Sequence, residues 1–255
     1  MKTDIIVEVR MTSTRLPGKP FLKILDKTVL ELMIERLKSF NYIDNIIIAT
    51  TNNSNDDPIV EIANKMDVLV FRGSENDVLG RVLNAALEFK TDIIVEITGD
   101  NPLIDKYISE QIIYFYLKST EKYDFVSNDA CVYDENYVFS CSNGFNTKVF
   151  STNLLLEISK LTNHPVDREH VVNYIFKGKK SYKIYNYECG IPYNRSDIRL
   201  TLDYKEDFQV IKNVFENLYP QNSYFSALDI ISYLDNNTEI KNINAECSQA
   251  KYHYN

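Results

Sequence analysis

Short apolar runs alternate with amphipathic segments through the first half of the chain. Four runs, at 5–7, 46–49, 68–71 and 93–97, have the length of buried strands. The segments 29–37, 58–66 and 77–87 between them repeat apolar residues with helical spacing. Strands joined by helices of this length need right-handed crossovers. The pattern therefore predicts an α/β fold of three layers around a mostly parallel sheet.

The second half of the chain is less regular. Strands are predicted at 125–128 and 182–188, and helices at 152–160 and 167–176, on either side of an aromatic-rich stretch over 133–150. No repeat or linker divides the chain, so residues 1–255 are predicted to form a single domain. The segment at about 130–150 is a candidate arm over the cleft, and the polar tail beyond 245 is predicted to fray.

The charge of the chain limits its partners. The net charge is -8, which disfavours binding to nucleic acid or to an anionic membrane surface. No apolar run approaches the length of a membrane span, and no signal-peptide core follows the first residues. The chain is therefore expected to act in the cytoplasm on small molecules.

The four cysteines give no metal or redox pattern. Cys131, Cys141, Cys189 and Cys247 lie far apart, with no Cys-x-x-Cys pair. A zinc site and a disulfide are both disfavoured on this spacing, so the cysteines are expected to be reduced thiols.

A cationic loop follows the first predicted strand. Residues 10–19 read R-M-T-S-T-R-L-P-G-K, with Arg10, Arg15 and Lys19 spaced along small residues. Such a loop, between a strand and a helix, can bind phosphate through backbone N-H groups and cations. It is not a Walker A loop or a dinucleotide fingerprint, because the required glycines are missing. Charges that merely face solvent are the alternative interpretation.

Two carboxylates stand where a metal could bind. Asp100 follows the fourth strand and a glycine, and Asp203 follows the alternating segment 199–202. Mg²⁺ is typically held by one or two carboxylates together with substrate phosphates. Each position has a structural alternative: Asp100 as a turn residue before Pro102, and Asp203 as the N-cap of a helix beginning near Lys205.

These motifs resemble those of a known family. The opening loop is similar to the A-R-x-x-S-T-R-L-P-G-K loop of cytidylyltransferases of the spore-coat polysaccharide biosynthesis protein F type, which are related to the CMP-Kdo synthetases. The blocks at 71–79 (F-R-G-S-E-N-D-V-L), 99–104 (G-D-N-P-L-I), 167–171 (D-R-E-H-V) and 199–208 (R-L-T-L-D-Y-K-E-D-F) also resemble family segments. The resemblance covers residues 5 to about 215.

The resemblance implies a GT-A-like nucleotide-diphospho-sugar transferase fold, which is Rossmann-like, and transfer of CMP from CTP to an acidic or phosphorylated sugar-type acceptor. Pyrophosphate is released, and the product serves surface glycan biosynthesis. Mg²⁺ is the implied cofactor, and a homodimer is the implied assembly. Lys19, Asp100 and Asp203 are the implied catalytic residues, with Asp100 and Asp203 as metal ligands. The implied nucleotide-binding residues are Arg10, Met11, Ser13, Thr14, Arg15, Lys19, Arg72, Ser74, Thr98 and Gly99, and the implied acceptor-binding residues are Asn143, Asn146, Arg168 and His170.

The chain departs from the family pattern on the acceptor side. Asn143, Asn146 and Lys148 stand where D-G-L-D-V-E-V-F has acids, which would suit a more anionic acceptor. Glu8 precedes the opening loop in place of the usual Gln or Pro, either as a carboxylate near the metal or as an ordinary edge residue.

Three other functions remain open from the sequence. A sugar-1-phosphate nucleotidylyltransferase using another nucleotide would carry a Gly-rich opening loop, and a glycosyltransferase would more often show a D-x-D motif. A catalytically idle nucleotide-binding subunit would lack Mg²⁺-dependent pyrophosphate release.

Overall fold

The computed structural model describes residues 1–129, 141–177 and 181–247. These residues contain a seven-stranded sheet. In chain order the strands are β1 (Thr3–Glu8), β2 (Lys23–Ile24), β3 (Lys27–Thr28), β4 (Asn45–Thr51), β5 (Leu69–Gly73), β6 (Ile93–Thr98), β7 (Phe125–Ser127), β8 (Lys148–Ser151) and β9 (Ile184–Asn186). The sheet order is β5-β4-β1-β6-β8-β7-β9, and β2 and β3 form a separate small hairpin.

Helices cover both faces of the sheet. They are α1 (Val29–Leu37), α2 (Asp57–Lys65), α3 (Val78–Glu88), α4 (Lys106–Lys118), α5 (Thr152–Leu161), α6 (Pro165–Glu169), α7 (Lys205–Leu218), α8 (Ala227–Asn236) and α9 (Thr238–Lys241). Short 3₁₀ helices lie at Lys19–Phe21, Ser54–Asp56, Asn173–Lys177 and Asn242–Asn244. Among the helices of the described ranges, none has both the length and the apolar character needed to span a membrane.

The predicted α/β architecture is confirmed. Strand β1 is central and pairs in parallel with β4 and β6, while β4 pairs in parallel with β5. One buried cluster packs α1, α2, α4, α7 and α8 against one face, and a second packs α3 and α5 against the other. Because α/β ligand sites gather at the carboxyl ends of such strands, the fold directs attention to the loops after β1 and β6.

Strand β8 interrupts the parallel order. It lies antiparallel between β6 and β7, with Lys148 directly opposite Glu96. Side chains in register on neighbouring strands lie on the same face. The second half of the chain therefore adds a lysine to the row of side chains at the end of β6.

Two predictions in the second half are wrong. The helix expected at 167–176 is broken into α6 and the 3₁₀ helix Asn173–Lys177, because Val171 adopts a left-handed conformation with φ 47°. The strand expected at 182–188 is limited to Ile184–Asn186. The part of the predicted arm at 130–140 lies outside the described residues, as do residues 248–255 of the tail.

The expectation of four reduced cysteines is also wrong. Cys141 and Cys189 form a disulfide, with their Cα atoms 5.5 Å apart and a sequence separation of 48 positions. The fold brings the two segments together, since Ser142 N donates to Tyr193 O at 2.9 Å. Sequence spacing carries no information on this contact. Cys247 is free, and Cys131 lies outside the described residues.

Candidate active site

A pocket of about 470 Å³ lies at the carboxyl ends of β1 and β6. Ten of the residues singled out in the sequence line it: Arg10, Ser13, Thr14, Arg15, Lys19, Thr98, Gly99, Asp100, His170 and Asp203. They come from the opening loop, the loop after β6, the turn after α6 and the segment before α7. The fold thus brings together residues that are far apart in sequence.

Two features shape the opening loop. Gly18 N donates to Met11 O at 2.9 Å, which closes the loop, and Gly18 has φ 73°, a conformation that glycine adopts without strain. At the other side, Met11 N donates to the carboxylate of Asp56 at 2.8 Å. Asp56 is buried and also accepts from Thr50 and Thr51 at the end of β4. The loop backbone is therefore anchored to the neighbouring strand.

The cations of this loop lie at opposite ends of the pocket. Arg10 extends inward, where NH2 lies 3.2 Å from Glu169 Oε1 and NH1 donates to Glu75 O at 3.3 Å. Arg15 and Lys19 extend towards the segment before α7. The pocket therefore offers positive charge along its length.

Asp203 lies at the outer end of the pocket, which is the end that Arg15 and Lys19 occupy. Its Oδ1 lies 2.7 Å from Arg15 NH2 and 3.3 Å from Lys19 Nζ, and its Oδ2 lies 3.0 Å from Arg199 NH2. Burial would raise the pKa of Asp203, but Lys19 and Arg15 outweigh it and hold the pKa below its usual value. Asp203 is therefore a carboxylate at neutral pH.

Asp100 faces Asp203 across Lys19. Lys19 Nζ lies 3.9 Å from Asp100 Oδ2, and it donates to Leu202 O at 2.7 Å. Thr98 donates its hydroxyl to the Asp100 carboxylate, which orients it. Gly99 permits this placement, since a Cβ there would lie 2.9 Å from Glu8 O. Among the described residues, no three His, Cys, Asp or Glu side chains could hold a metal by themselves.

A different acid takes the capping role considered for Asp203. The carboxylate of Asp207 accepts from the backbone N-H groups of Asp203 and Tyr204, both at 2.9 Å, at the start of α7. Asp207 is fully buried and also contacts Arg199 at 3.0 Å and Asn244 at 2.9 Å. The side chain of Asp203 is consequently left to face the pocket.

His170 and Lys148 line the inner part of the pocket. Burial and, after it, the positive charge of Lys148 lower the pKa of His170 to about 4. His170 is therefore neutral at pH 7. Lys148 Nζ lies 3.0 Å from Glu96 Oε1, so the cation gained relative to the family pattern has an internal counter-charge.

Six of the predicted site residues lie outside the pocket lining. Arg72 binds the loop after β4, through Thr51 O at 2.8 Å, Asn53 O at 2.7 Å and Asp57 at 2.6 Å. Arg168 pairs with Asp77, the N-cap of α3. The others are Met11, Ser74, Asn143 and Asn146. Met11 N donates to Asp56, Ser74 O accepts from Arg81, and Asn143 O accepts from Leu200 N. Asn146 accepts from Gly144 N at 2.9 Å and donates to Asp129 at 3.0 Å.

Three charged lining residues were missed in the sequence. Glu96, Arg81 and Glu169 line the pocket beside the predicted residues and beside Glu8 and Lys148, the two departures from the family pattern. Glu96 lies in an apolar strand and Arg81 lies in an apolar helix face, so the periodic pattern hides both. The alternation of side chains along β6 could have placed Glu96 two residues before Thr98 on the same face.

Comparison with known proteins agrees with this geometry. A family model described as cytidylyltransferase matches residues 5–234. An uncharacterized protein of Methanocaldococcus jannaschii is 36% identical over 252 residues, covering 99% of this chain and 98% of that protein. The spore coat polysaccharide biosynthesis protein SpsF of Bacillus subtilis is 28% identical over 239 residues, with 92% and 94% covered.

Solved structures of cytidylyltransferases are also similar to this chain. The structure of a cytidylyltransferase from Leptospira borgpetersenii superimposes with a TM-score of 0.85 at 35% identity, over 99% of this chain and all of that one. A CMP:2-keto-3-deoxy-manno-octonic acid synthetase, solved with CTP, shares the fold with a TM-score of 0.62 at 13% identity, over 86% of this chain and all of that one.

Proposed function

This chain belongs to the cytidylyltransferase family, and from that premise we propose that it transfers CMP from CTP to a sugar-type acceptor that is acidic or phosphorylated, with release of pyrophosphate. The product would serve surface glycan biosynthesis, as the name of the Bacillus subtilis relative suggests. The observation that carries the proposal is the cluster of Arg15, Lys19, Asp100 and Asp203 at one end of the pocket.

The cations bind and neutralise the triphosphate in this proposal. In this structure, Arg15 and Lys19 share one oxygen of Asp203, and Arg10 pairs with Glu169. A triphosphate is a stronger partner for an arginine than a single carboxylate, because it offers more anionic oxygens. Arg15 and Lys19 are therefore expected to exchange Asp203 for phosphate oxygens when CTP binds.

The same exchange frees carboxylate oxygens for Mg²⁺. Asp100 and Asp203 supply hard oxygen ligands, the kind that Mg²⁺ prefers, and two carboxylates plus phosphate oxygens make a usual Mg²⁺ site. When bound, Mg²⁺ would stabilise negative charge on the α-phosphate during attack. Thr98 keeps the Asp100 carboxylate oriented, and Asp207 keeps the backbone of Asp203 in place.

Nucleotide-dependent thermal stability tests the proposal. CTP with Mg²⁺ is expected to raise the melting temperature more than UTP, GTP or ATP, since a ligand at about a hundred times its Kd adds about 2.7 kcal/mol. Asp100→Asn should lose the Mg²⁺-dependent part, whereas Asp26→Asn, at an exposed turn residue, should keep it. A response to another nucleotide alone would overturn CTP as the substrate, and no response would favour a catalytically idle subunit.

Pyrophosphate release then tests turnover. A panel of acidic and phosphorylated sugars, added with CTP and Mg²⁺, should contain an acceptor that releases pyrophosphate. The reaction should be lost in Lys19→Met, which keeps the length of the side chain and removes its charge. Release at the same rate in Lys19→Met would contradict the assigned role of Lys19.

We also propose that the protein acts as a homodimer in the cytoplasm. The support is an exposed aromatic surface made by Tyr107 and Tyr114 of α4 and by Tyr42, whose ring lies 6.0 Å from that of Tyr114, each about half exposed. Large exposed aromatic side chains are enriched at protein interfaces. The homodimer proposal is independent of the reaction proposed for the pocket.

A further inference from the structure

Three charged side chains form a row across the inner floor of the pocket. Glu8 ends β1, Glu96 lies on β6 and Lys148 lies on β8. In the parallel register Ile6 pairs with Glu96, and Glu96 pairs with Lys148 across the antiparallel strand. Since Glu8 is two residues after Ile6, all three side chains lie on one face of the sheet. All three line the pocket.

The two acids are held together with only one close cation. Glu96 is 2% exposed, and Lys148 contacts its Oε1 at 3.0 Å. The Oε2 atoms of Glu8 and Glu96 are buried and accept from no donor among the described residues. Burial, followed by the charge of Glu96, raises the pKa of Glu8 well above its usual value. The row therefore disfavours two negative charges side by side.

The other cations near this row have different partners. Arg81 of α3 donates from NH1 to the backbone carbonyls of Ser74 and Glu75. Arg10 pairs with Glu169 at 3.2 Å, and His170 is neutral because of its lowered pKa. The charge of Arg81 also acts on Glu8, although the two side chains form no ion pair in the described part of the chain. Lys148 contacts Glu96, and the Oε2 atoms of Glu8 and Glu96 are left without a donor among the described residues.

We propose that the Glu8–Glu96 pair recognises an ammonium group of the acceptor through its two unpaired Oε2 atoms. An ammonium provides a positive charge and three N-H donors, which satisfy these buried acceptors and offset the repulsion between the two acids. This inference rests on the proposed function and narrows its acceptor to an amine-bearing, phosphorylated or acidic compound.

Matched pairs of ligands test the inference. The probes are glucosamine 1-phosphate against glucose 1-phosphate, and phosphoethanolamine against ethylene glycol phosphate. Each is titrated calorimetrically into protein saturated with an α,β-methylene analogue of CTP and Mg²⁺, so that no turnover occurs. In at least one pair the amine is expected to bind at least about tenfold more tightly, because its absence leaves buried acceptors unpaired.

Variants separate recognition from folding. Glu8→Gln and Glu96→Gln should bind the two members of that pair equally, whereas Glu121→Gln, at an exposed surface ion pair, should keep the preference. Equal binding or no binding by both members of every pair in the natural protein overturns the inference, as does a preference that survives in Glu8→Gln. Failure of the CTP analogue itself to bind would instead overturn the proposed function, and the inference with it.

Discussion

Asp207 is the residue on which the outer end of the pocket depends most. It is fully buried, and it holds Arg199, Asn244 and the backbone of Asp203 together. The capping-box pattern at the start of α7 gives Asp207 only a local role, because such a pattern does not show which other side chains converge on it. Conversely, the loop cations and Asp100 were predictable, since strand ends and motif order alone place them near one another.

Replacing Asp207 with Asn is expected to lower the free energy of unfolding by about 1.5 to 3 kcal/mol, because Arg199 loses one of its two carboxylate partners. Urea denaturation at pH 7 measures this. Glu206→Gln, at the exposed neighbouring position, should change stability by no more than about 0.5 kcal/mol. Similar losses in the two variants would contradict the role given to Asp207.

His170 predicts a pH dependence of stability. Its pKa is about 4 in the folded protein, below the usual value of about 6.5. As the pH falls, His170 therefore takes up its proton at a higher pH in the unfolded chain than in the folded protein. His170 thus contributes stability above pH 6.5 that is lost as the pH falls towards 4. His170→Gln should flatten the decline in unfolding free energy over this range. An unchanged slope would mean that the imidazole is accessible to solvent in the folded state.

At the scale of the elements, the first half of the chain was predictable and the second half only partly so. The strands β1, β4, β5 and β6 are short apolar runs that the sequence shows directly. The break between α6 and Asn173–Lys177 was missed because it depends on a left-handed Val171, a conformation that β-branched residues rarely adopt. Tertiary contacts decide such a turn, as when buried Asp167 accepts from Thr162 and Asn173.

The start of α1 gives a prediction for one element. Thr28 and Glu31 form a reciprocal cap, with Glu31 N donating to Thr28 at 3.2 Å and Thr28 N donating to Glu31 at 2.8 Å. Burial would raise the pKa of Glu31, but the hydrogen bonds from Lys65 and Thr28 lower it to about 2. Glu31→Gln should cost about 1 kcal/mol at pH 7.

The pH dependence of this cost has a definite sign. Because the pKa of Glu31 is lower in the folded protein, its stabilisation is complete above about pH 4.5 and is lost as the pH falls towards 2. Urea denaturation at pH 7 and at about pH 3.5 should show a smaller difference between the natural protein and Glu31→Gln at the lower pH. Lys38→Gln, an exposed C-cap substitution on the same helix, should show no comparable change. A constant difference would contradict the lowered pKa.

At the scale of the whole molecule, the contacts between distant segments could not be predicted. The position of β8 between β6 and β7, and the pairing of Cys141 with Cys189, join stretches whose spacing gives no sign of a contact. Glu96 and Lys148 meet for the same reason. The inner half of the pocket was therefore hidden in the sequence, although the fold class was visible.

The disulfide predicts a stability difference. In the chain-entropy account, a closed loop of 48 residues stabilises the folded state by about 4 kcal/mol. Replacing Cys141 and Cys189 together with Ser should remove most of this, as measured by urea denaturation without reductant. Cys247→Ser is the control, since Cys247 is free. Equal stability of the double variant and the control would show that the cross-link contributes nothing.

Light scattering at micromolar concentration tests the homodimer, with twice the 29.7 kDa chain mass as the expected value. Tyr114→Lys should shift the mass towards the monomer, because it places a charge on the exposed aromatic surface of α4. Lys65→Gln, on the exposed surface of a different helix, should leave the mass unchanged. A monomeric mass for the natural protein would remove the dimer proposal.

The ion pair between Lys19 and Asp203 joins residues 184 positions apart. On the ribosome, the cationic loop is therefore made long before the acid that neutralises it. Until then Arg15 and Lys19 lack that acid, and a chain that stops short of Asp203 keeps a phosphate-attracting loop without the second carboxylate. Synthesis order therefore separates in time the residues that attract phosphate from the carboxylate that pairs with them in the folded protein.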